Sequence, residues 1–148
     1  MIGMNLVGGR EADRALWRLG QTVARKVVRH ALRVARKPAL VAAKSNAQSM
    51  VGGEMGALLS KNVQIKPYKR QTKGSYGLSV QMKPDIPGFV DQNAKDERNY
   101  IPFAIEFGHD DVAAIPFMRQ AADTAQPQAE KIFRRELAKG IIKATRGK

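Results

Sequence analysis

Along residues 10–37 apolar and charged positions recur at helical spacing. At 100° per residue, Leu16, Leu19, Val23, Val27, Ala31 and Val34 share one broad face, widened by Trp17, Ala24, Val28 and Ala35. Arg14, Arg18, Arg25, Arg29 and Arg36 fall within about 40° of one line on the opposite side. The pattern predicts a long amphipathic helix carrying an arginine ridge. Pro38 disfavours α geometry at Lys37 and donates no hydrogen bond, so the helix should end or kink there. Ala39, Leu40, Val41, Ala42 and Ala43 then predict a helical continuation to about Ala47.

Gly52, Gly53 and Gly56 read as a loop before strands. Asn62 to Lys69 alternates, with Val63 and Ile65 against Gln64 and Lys66. Ser75 to Lys83 alternates too, with Tyr76, Leu78, Val80 and Met82 on one side. The short polar connection Arg70 to Gly74 makes the two an antiparallel hairpin. Residues 84–98 carry Pro84, Pro87, Gly88 and four acids, which predicts an exposed excursion. Tyr100 to Phe107 alternates again, with Ile101, Phe103, Ile105 and Phe107 on one side, and Pro102 means that this third strand sits at an edge or begins irregularly.

Pro116 can open a last helix whose buried face is Phe117, Met118, Ala121, Ala122 and Ala125. Pro127 should break or kink it, and Ile132, Phe133, Leu137 and Ile141 continue beyond. The expectation is an α+β fold: a small antiparallel sheet, hairpin plus third strand, packed by a long N-terminal helix and a kinked C-terminal helix. A chain of 148 residues makes this one domain over 1–148, with flexible ends at about 1–9 and 144–148.

Charge changes the picture more than any other bulk property. Twenty-six basic against 13 acidic residues give a net +13 and a pI near 10.4. Residues 1–48 hold ten bases and two acids, and from Arg14 to Lys73 the sole acid is Glu54. Such asymmetry points to a polyanion or to acidic partner surfaces. Cysteine is absent, which excludes disulfides, thiolate metal sites and cysteine nucleophiles. No stretch free of Asp, Glu, Lys and Arg exceeds nine residues, so no membrane partner is expected. The charges at Arg10, Glu11 and Asp13 follow one short apolar patch, so no secretory leader is expected.

Candidate chemistry is sparse. His30 borders the apolar face of the first helix, and His109 lies in a Gly-His-Asp-Asp turn without the spaced ligand set of a metal site. Glu106 has no partner carboxylate or nucleophile beside it, and a structural role, bonded to backbone or to an arginine across an interface, fits it better than catalysis. Gly8-Gly9 and Gly52-Gly53 lack the lysine and context of a phosphate loop. The expectation is no enzyme, no cofactor and no metal. The ridge of Arg14, Arg18, Arg25, Arg29 and Arg36 is either an ordinary solvated face or a set of guanidiniums for phosphates or acidic side chains. With Trp17 the sole aromatic nearby, nucleic-acid contact would be to the backbone, without sequence readout.

Two motifs are more specific. Tyr-Ile-Pro-Phe-Ala-Ile-Glu-Phe-Gly-His at 100–109 is followed, after a short gap, by Ile-Pro-Phe-Met-Arg-Gln-Ala at 115–121. Together they resemble the tail-component family of long-tailed, lambda-like bacteriophages, the neck proteins also called tail completion or head-tail joining proteins. Tyr100, Glu106, Phe107 and Gly108 match the first motif; Pro116, Phe117, Arg119 and Ala121 match the second; Gly56, Leu58 and Ser60 look like a weaker entry motif. The resemblance implies a structural virion protein, a ring-forming homo-oligomer that joins tail to head. It would contact other connector and tail proteins, be made in the host cytoplasm and reside in the virion neck.

On this reading Tyr100, Glu106, His109 and Arg119 lie at subunit contacts, and the arginine ridge faces acidic partners or DNA in the channel. Gly108 supplies a positive φ, Phe103, Phe107 and Phe117 join strand to helix in one cluster, and Glu106 stays outward for a neighbouring subunit. The alternative is a basic nucleic-acid-binding protein that shares only the order of elements.

Overall fold

The computed structural model describes residues 9–67, 78–83, 86, 101–108 and 113–147. In order, the elements are α1 (Gly9–Leu19), α2 (Gln21–Ala35), α3 (Lys37–Asn46), a π-helical turn (Ala47–Val51), α4 (Gly53–Asn62), β1 (Val63–Pro67), β2 (Leu78–Met82), α5 (Ile101–Phe107) and α6 (Phe117–Arg146). The architecture is α+β, mostly helical, with one two-stranded sheet among the described residues. Lys83 N–H donates to the Asn62 carbonyl at 3.0 Å and Ser79 Oγ to that of Lys66 at 3.4 Å, which fixes an antiparallel register. The hairpin expected from alternation is present. Its proposed connection, Arg70 to Gly74, lies outside the described residues.

Several expectations need correction. The long first helix is divided: Gly20, at φ +78°, separates α1 from α2, a backbone state that L side chains rarely adopt. At Pro38 the chain turns once at Arg36 and restarts at Lys37, with the proline in a first turn that needs no N–H from it. The glycines at 52 and 53 (φ +71° and +56°) lead directly into α4, so the expected loop is mostly helix. The segment expected as a third strand is helical over its described residues, Ile101–Phe107. Its alternation at 101, 103, 105 and 107 also satisfies helical i, i+4 spacing, and Pro102 sits in a first turn where proline is tolerated. Pro127 lies inside α6 without ending it, and the helix continues through Ala144 to Arg146, where the sequence predicts a flexible end.

The chain divides into two compact units. One comprises Met1–Pro38, Ile65–Ser79 and Gln126–Lys148; the other Ala39–Gln64 and Val80–Ala125. By sequence the first holds twenty Lys and Arg against four Asp and Glu, a net of +16, and the second six against nine, a net of −3. We call them the basic and the acidic unit.

The basic unit is built on Ala31, Leu32, Ala35, Phe133 and Leu137, with Leu16 of α1, Val27 and Val28 of α2, and Ile132 and Ile141 of α6 packed against them. The expected apolar faces of the first and last helices therefore meet. Small residues let them approach: a Cβ built on Gly140 would lie 2.6 Å from Val27 Cγ1. Trp17, assigned to the apolar face, is 76% exposed instead.

The acidic unit has two smaller clusters. Ala47, Leu59 and Phe117 form one, flanked by Met50, Met55, Ile86 and Ile105; Ala43, Val63 and Ala121 form the other, flanked by Leu40, Val80 and Met118. Here too a glycine permits a close approach. A Cβ on Gly56 would lie 2.6 Å from the Ala47 carbonyl oxygen. Of the expected excursion 84–98, only Ile86 is described, and it packs beside Phe117.

Candidate functional site: the α5–α6 junction

α6 begins with a proline at its N-cap place, and a proline offers no side-chain acceptor for the first-turn N–H groups. The chain supplies the acceptor from elsewhere. Glu106, on the last turn of α5 and 5% exposed, accepts Met118 N–H on Oε2 and Arg119 N–H on Oε1, each at 2.9 Å. Phe117 N–H donates to the Ile115 carbonyl at 2.8 Å, and Gln120 N–H to that of Pro116 at 3.0 Å. All four N–H groups that a helix start leaves without an intrahelical partner, or that close its first turn, are thereby accounted for. The carboxyl also stands at the positive end of the helix dipole.

Local backbone brings Glu106 there. Gly108, at φ +81°, closes α5 by donating to the Ala104 carbonyl at 2.8 Å. After residues 109–112, Ile115 N–H returns to the Ile105 carbonyl at 2.7 Å. On the far side, Asn46 Nδ2 donates to the Phe117 carbonyl at 3.1 Å, and the Phe117 ring is fully buried. The positive φ expected at Gly108 is present, at the end of a helix rather than a strand.

Glu106 also holds a side chain. Arg119 Nε donates to Oε1 at 3.1 Å and Nη2 to the Glu106 backbone carbonyl at 2.6 Å. The guanidinium so fixed lies 4.8 Å from the centroid of the Phe107 ring, and Phe107 lies 4.5 Å from Phe103, centroid to centroid. Phe103 and Phe107 are 57% and 52% exposed, and the Arg119 side chain 53%. The result is a surface ladder of two rings and a guanidinium, anchored from beneath by one buried carboxyl.

This arrangement corrects the expectations built on the motifs. Glu106 is not an outward group awaiting a neighbouring subunit; it is bonded inside its own chain, because a helix start without a capping side chain needs it. The expected cluster of Phe103, Phe107 and Phe117 does not form. Phe117 packs against Ala47 and Leu59, while helical geometry puts Phe103 and Phe107, four residues apart, together on the outer face of α5. Arg119 is at the surface. Tyr100 and His109 lie outside the described residues. A strand reading of 101–107 hides the uncovered Phe103–Phe107 pair; the i, i+4 spacing of the two rings is the signal that reveals it.

On the basic unit, Arg14 and Arg18 are exposed on α1, and Arg25 and Arg29 on α2, so the expected ridge is present in two pieces divided at Gly20. Arg36 is different. It occupies the turn between α2 and α3, half-buried, with Nε enclosed and without a hydrogen-bond partner. Arg33, not part of the expected ridge, is exposed alongside Arg29, and His30 is exposed as well. Among the described residues no three His, Asp or Glu side chains gather as a metal site would require, and no helix is long and apolar enough to cross a membrane.

Compared with models of known families, with curated proteins and with solved structures, the chain matches none.

Proposed function

We propose that this protein is a structural subunit of a bacteriophage neck, a tail-completion protein that assembles as a ring joining tail to head. The observation that carries the reading is the ladder of Phe103, Phe107 and Arg119, held rigidly and left uncovered. Aromatic rings and arginine are the side chains most enriched where protein interfaces gain their energy. Two phenylalanines half in water forgo apolar burial that an adjoining copy can supply. The resemblance supports the same reading. Its two motifs are separate in sequence, yet Glu106 of one accepts the helix-start N–H groups of the other. Ring contacts are heterologous, so this patch meets a different patch on the next copy.

The test has two arms. Purified wild-type protein, examined by analytical ultracentrifugation and native mass spectrometry, forms closed oligomers, and Phe107→Glu releases monomers that melt at the wild-type temperature. Mass spectrometry of intact phage particles finds the chain in the virion. A protein that stays monomeric at high micromolar concentration and is missing from particles overturns the proposal.

A further inference from the structure

The fold gathers more positive charge than the N-terminal ridge alone. Because α2 and α6 both turn their apolar faces onto the core of the basic unit, their bases project outward: Arg25, Arg29 and Arg33 on α2, and Lys139, Lys143 and Arg146 on α6 are all exposed. The two helices approach as closely as Gly140 allows at Val27, and Lys26 and Lys139, the residues just before these two, are exposed there. We propose that the outer faces of α2 and of α6 beyond Pro127 form a binding surface for the phosphate backbone of duplex nucleic acid, without base readout.

Three features favour that partner over an acidic protein. The faces hold almost no apolar centre: Val23 on α2 and Ala138 and Ile142 on α6 are the exposed apolar residues among many bases, whereas a protein interface is organised around a desolvated apolar core. The arginines of α2 recur every four residues, about 6 Å along the helix, against about 3.4 Å of axial rise per phosphate of one strand, so successive guanidiniums can take alternate phosphates. The α6 acids pair on their own helix: Glu130 with Arg134, and Glu136 with Arg135 and Lys139, whose basic side chains all stay exposed, and pairs of this kind contribute about 0–1 kcal/mol. A net charge of +16 on one compact unit also repels itself, and a polyanion relieves that repulsion.

The inference stands on the basic unit and does not require the ring. Its test is a titration of a labelled random-sequence 30-base-pair duplex with the full-length protein, followed by anisotropy; Trp17, the chain's single tryptophan and exposed on α1, gives a label-free second signal. Affinity should fall about 10³-fold between 50 and 200 mM salt. R25Q/R29Q/R33Q and K139Q/K143Q/R146Q, each checked for wild-type circular dichroism, should each lower the slope of log affinity against log salt by roughly 3, while K44Q/K61Q on the acidic unit leaves it unchanged.

The inference is overturned by any of four results: no binding at 50 mM salt, a slope indifferent to both triple variants, displacement of the duplex by polyglutamate at equal charge, or a greater than tenfold preference for one duplex sequence. Wild-type protein that forms rings but binds no duplex sinks this inference alone, and wild-type protein that binds duplex but forms no rings sinks the assembly proposal alone.

Discussion

The basic and acidic units use their polar side chains in opposite directions. In the acidic unit polar groups turn inward to serve the backbone: Glu106 takes the N–H groups of Met118 and Arg119, Asn46 donates to the Phe117 carbonyl, and Asn62 donates to that of Leu58 at 2.9 Å. In the basic unit, α6 carries ion pairs whose basic members are exposed, Arg134 with Glu130, and Arg135 and Lys139 with Glu136. Buried acceptors of backbone N–H groups are costly to remove, whereas surface ion pairs contribute about 0–1 kcal/mol. The difference teaches that the charge dominating this sequence is not what holds it folded. Charge density belongs to the outer faces of the basic unit, and polar specificity belongs to the interior of the acidic one.

The largest effect that tests this contrast is apolar. Phe117→Ala empties a fully buried ring site and should cost about 3–5 kcal/mol in urea unfolding. Next, Glu106→Ala should cost about 1–3 kcal/mol by stranding two helix-start N–H groups, and hydrogen exchange at Met118 and Arg119 should quicken. Glu130→Ala, which removes a surface partner of Arg134, should stay below about 1 kcal/mol. Equal costs for Glu106→Ala and Glu130→Ala would erase the distinction between the units.

The two glycines at close approaches give a finer comparison. Alanine at 56 drives a Cβ to 2.6 Å from a backbone carbonyl, which has nowhere to go, and should cost about 1–3 kcal/mol. Alanine at 140 meets only a methyl of Val27, which can shift, and gains up to about 1 kcal/mol of helix propensity, so its net effect in thermal melts should be smaller.

The smallest effect concerns Glu136. Its hydrogen bond from Lys139, then that from Arg135, holds its carboxyl below the usual carboxylate range. A lowered folded-state pKa gives stabilisation that is complete above the ordinary carboxylate pKa and lost as pH falls through the lowered one. Glu136→Gln should therefore lower the melting point slightly at pH 7, by an amount that shrinks as pH falls through the carboxylate range.

Where the sequence carries long periodic stretches, the fold is legible. The apolar stripe of residues 16–35 and the Ile132–Phe133–Leu137–Ile141 pattern meet in the basic core, and the alternation of Val63 and of Leu78, Val80 and Met82 belongs to a hairpin. The failures share a cause. Over seven residues, positions 101, 103, 105 and 107 satisfy strand and helix periods equally, so the local pattern does not choose between them. At Gly20 one residue in a left-handed conformation divides a helix whose stripe runs on unbroken. The site is half legible for a related reason. Motif spacing marks Glu106, Phe107 and Arg119 as belonging together, yet which of them is buried depends on the period of α5. Once α5 is a helix, the carboxyl goes in and the rings come out.

The basic unit is assembled from three separated stretches of chain. Leu32 and Phe133, which share its core, stand about a hundred residues apart, so at about 5–20 residues per second the ribosome needs roughly 5–20 s to deliver the second after the first. For that interval α1 and α2 emerge with a bare apolar stripe on one side and a dense row of guanidiniums on the other. Newborn chains are therefore most prone to mispairing before translation finishes, and truncation before Phe133 should yield insoluble product.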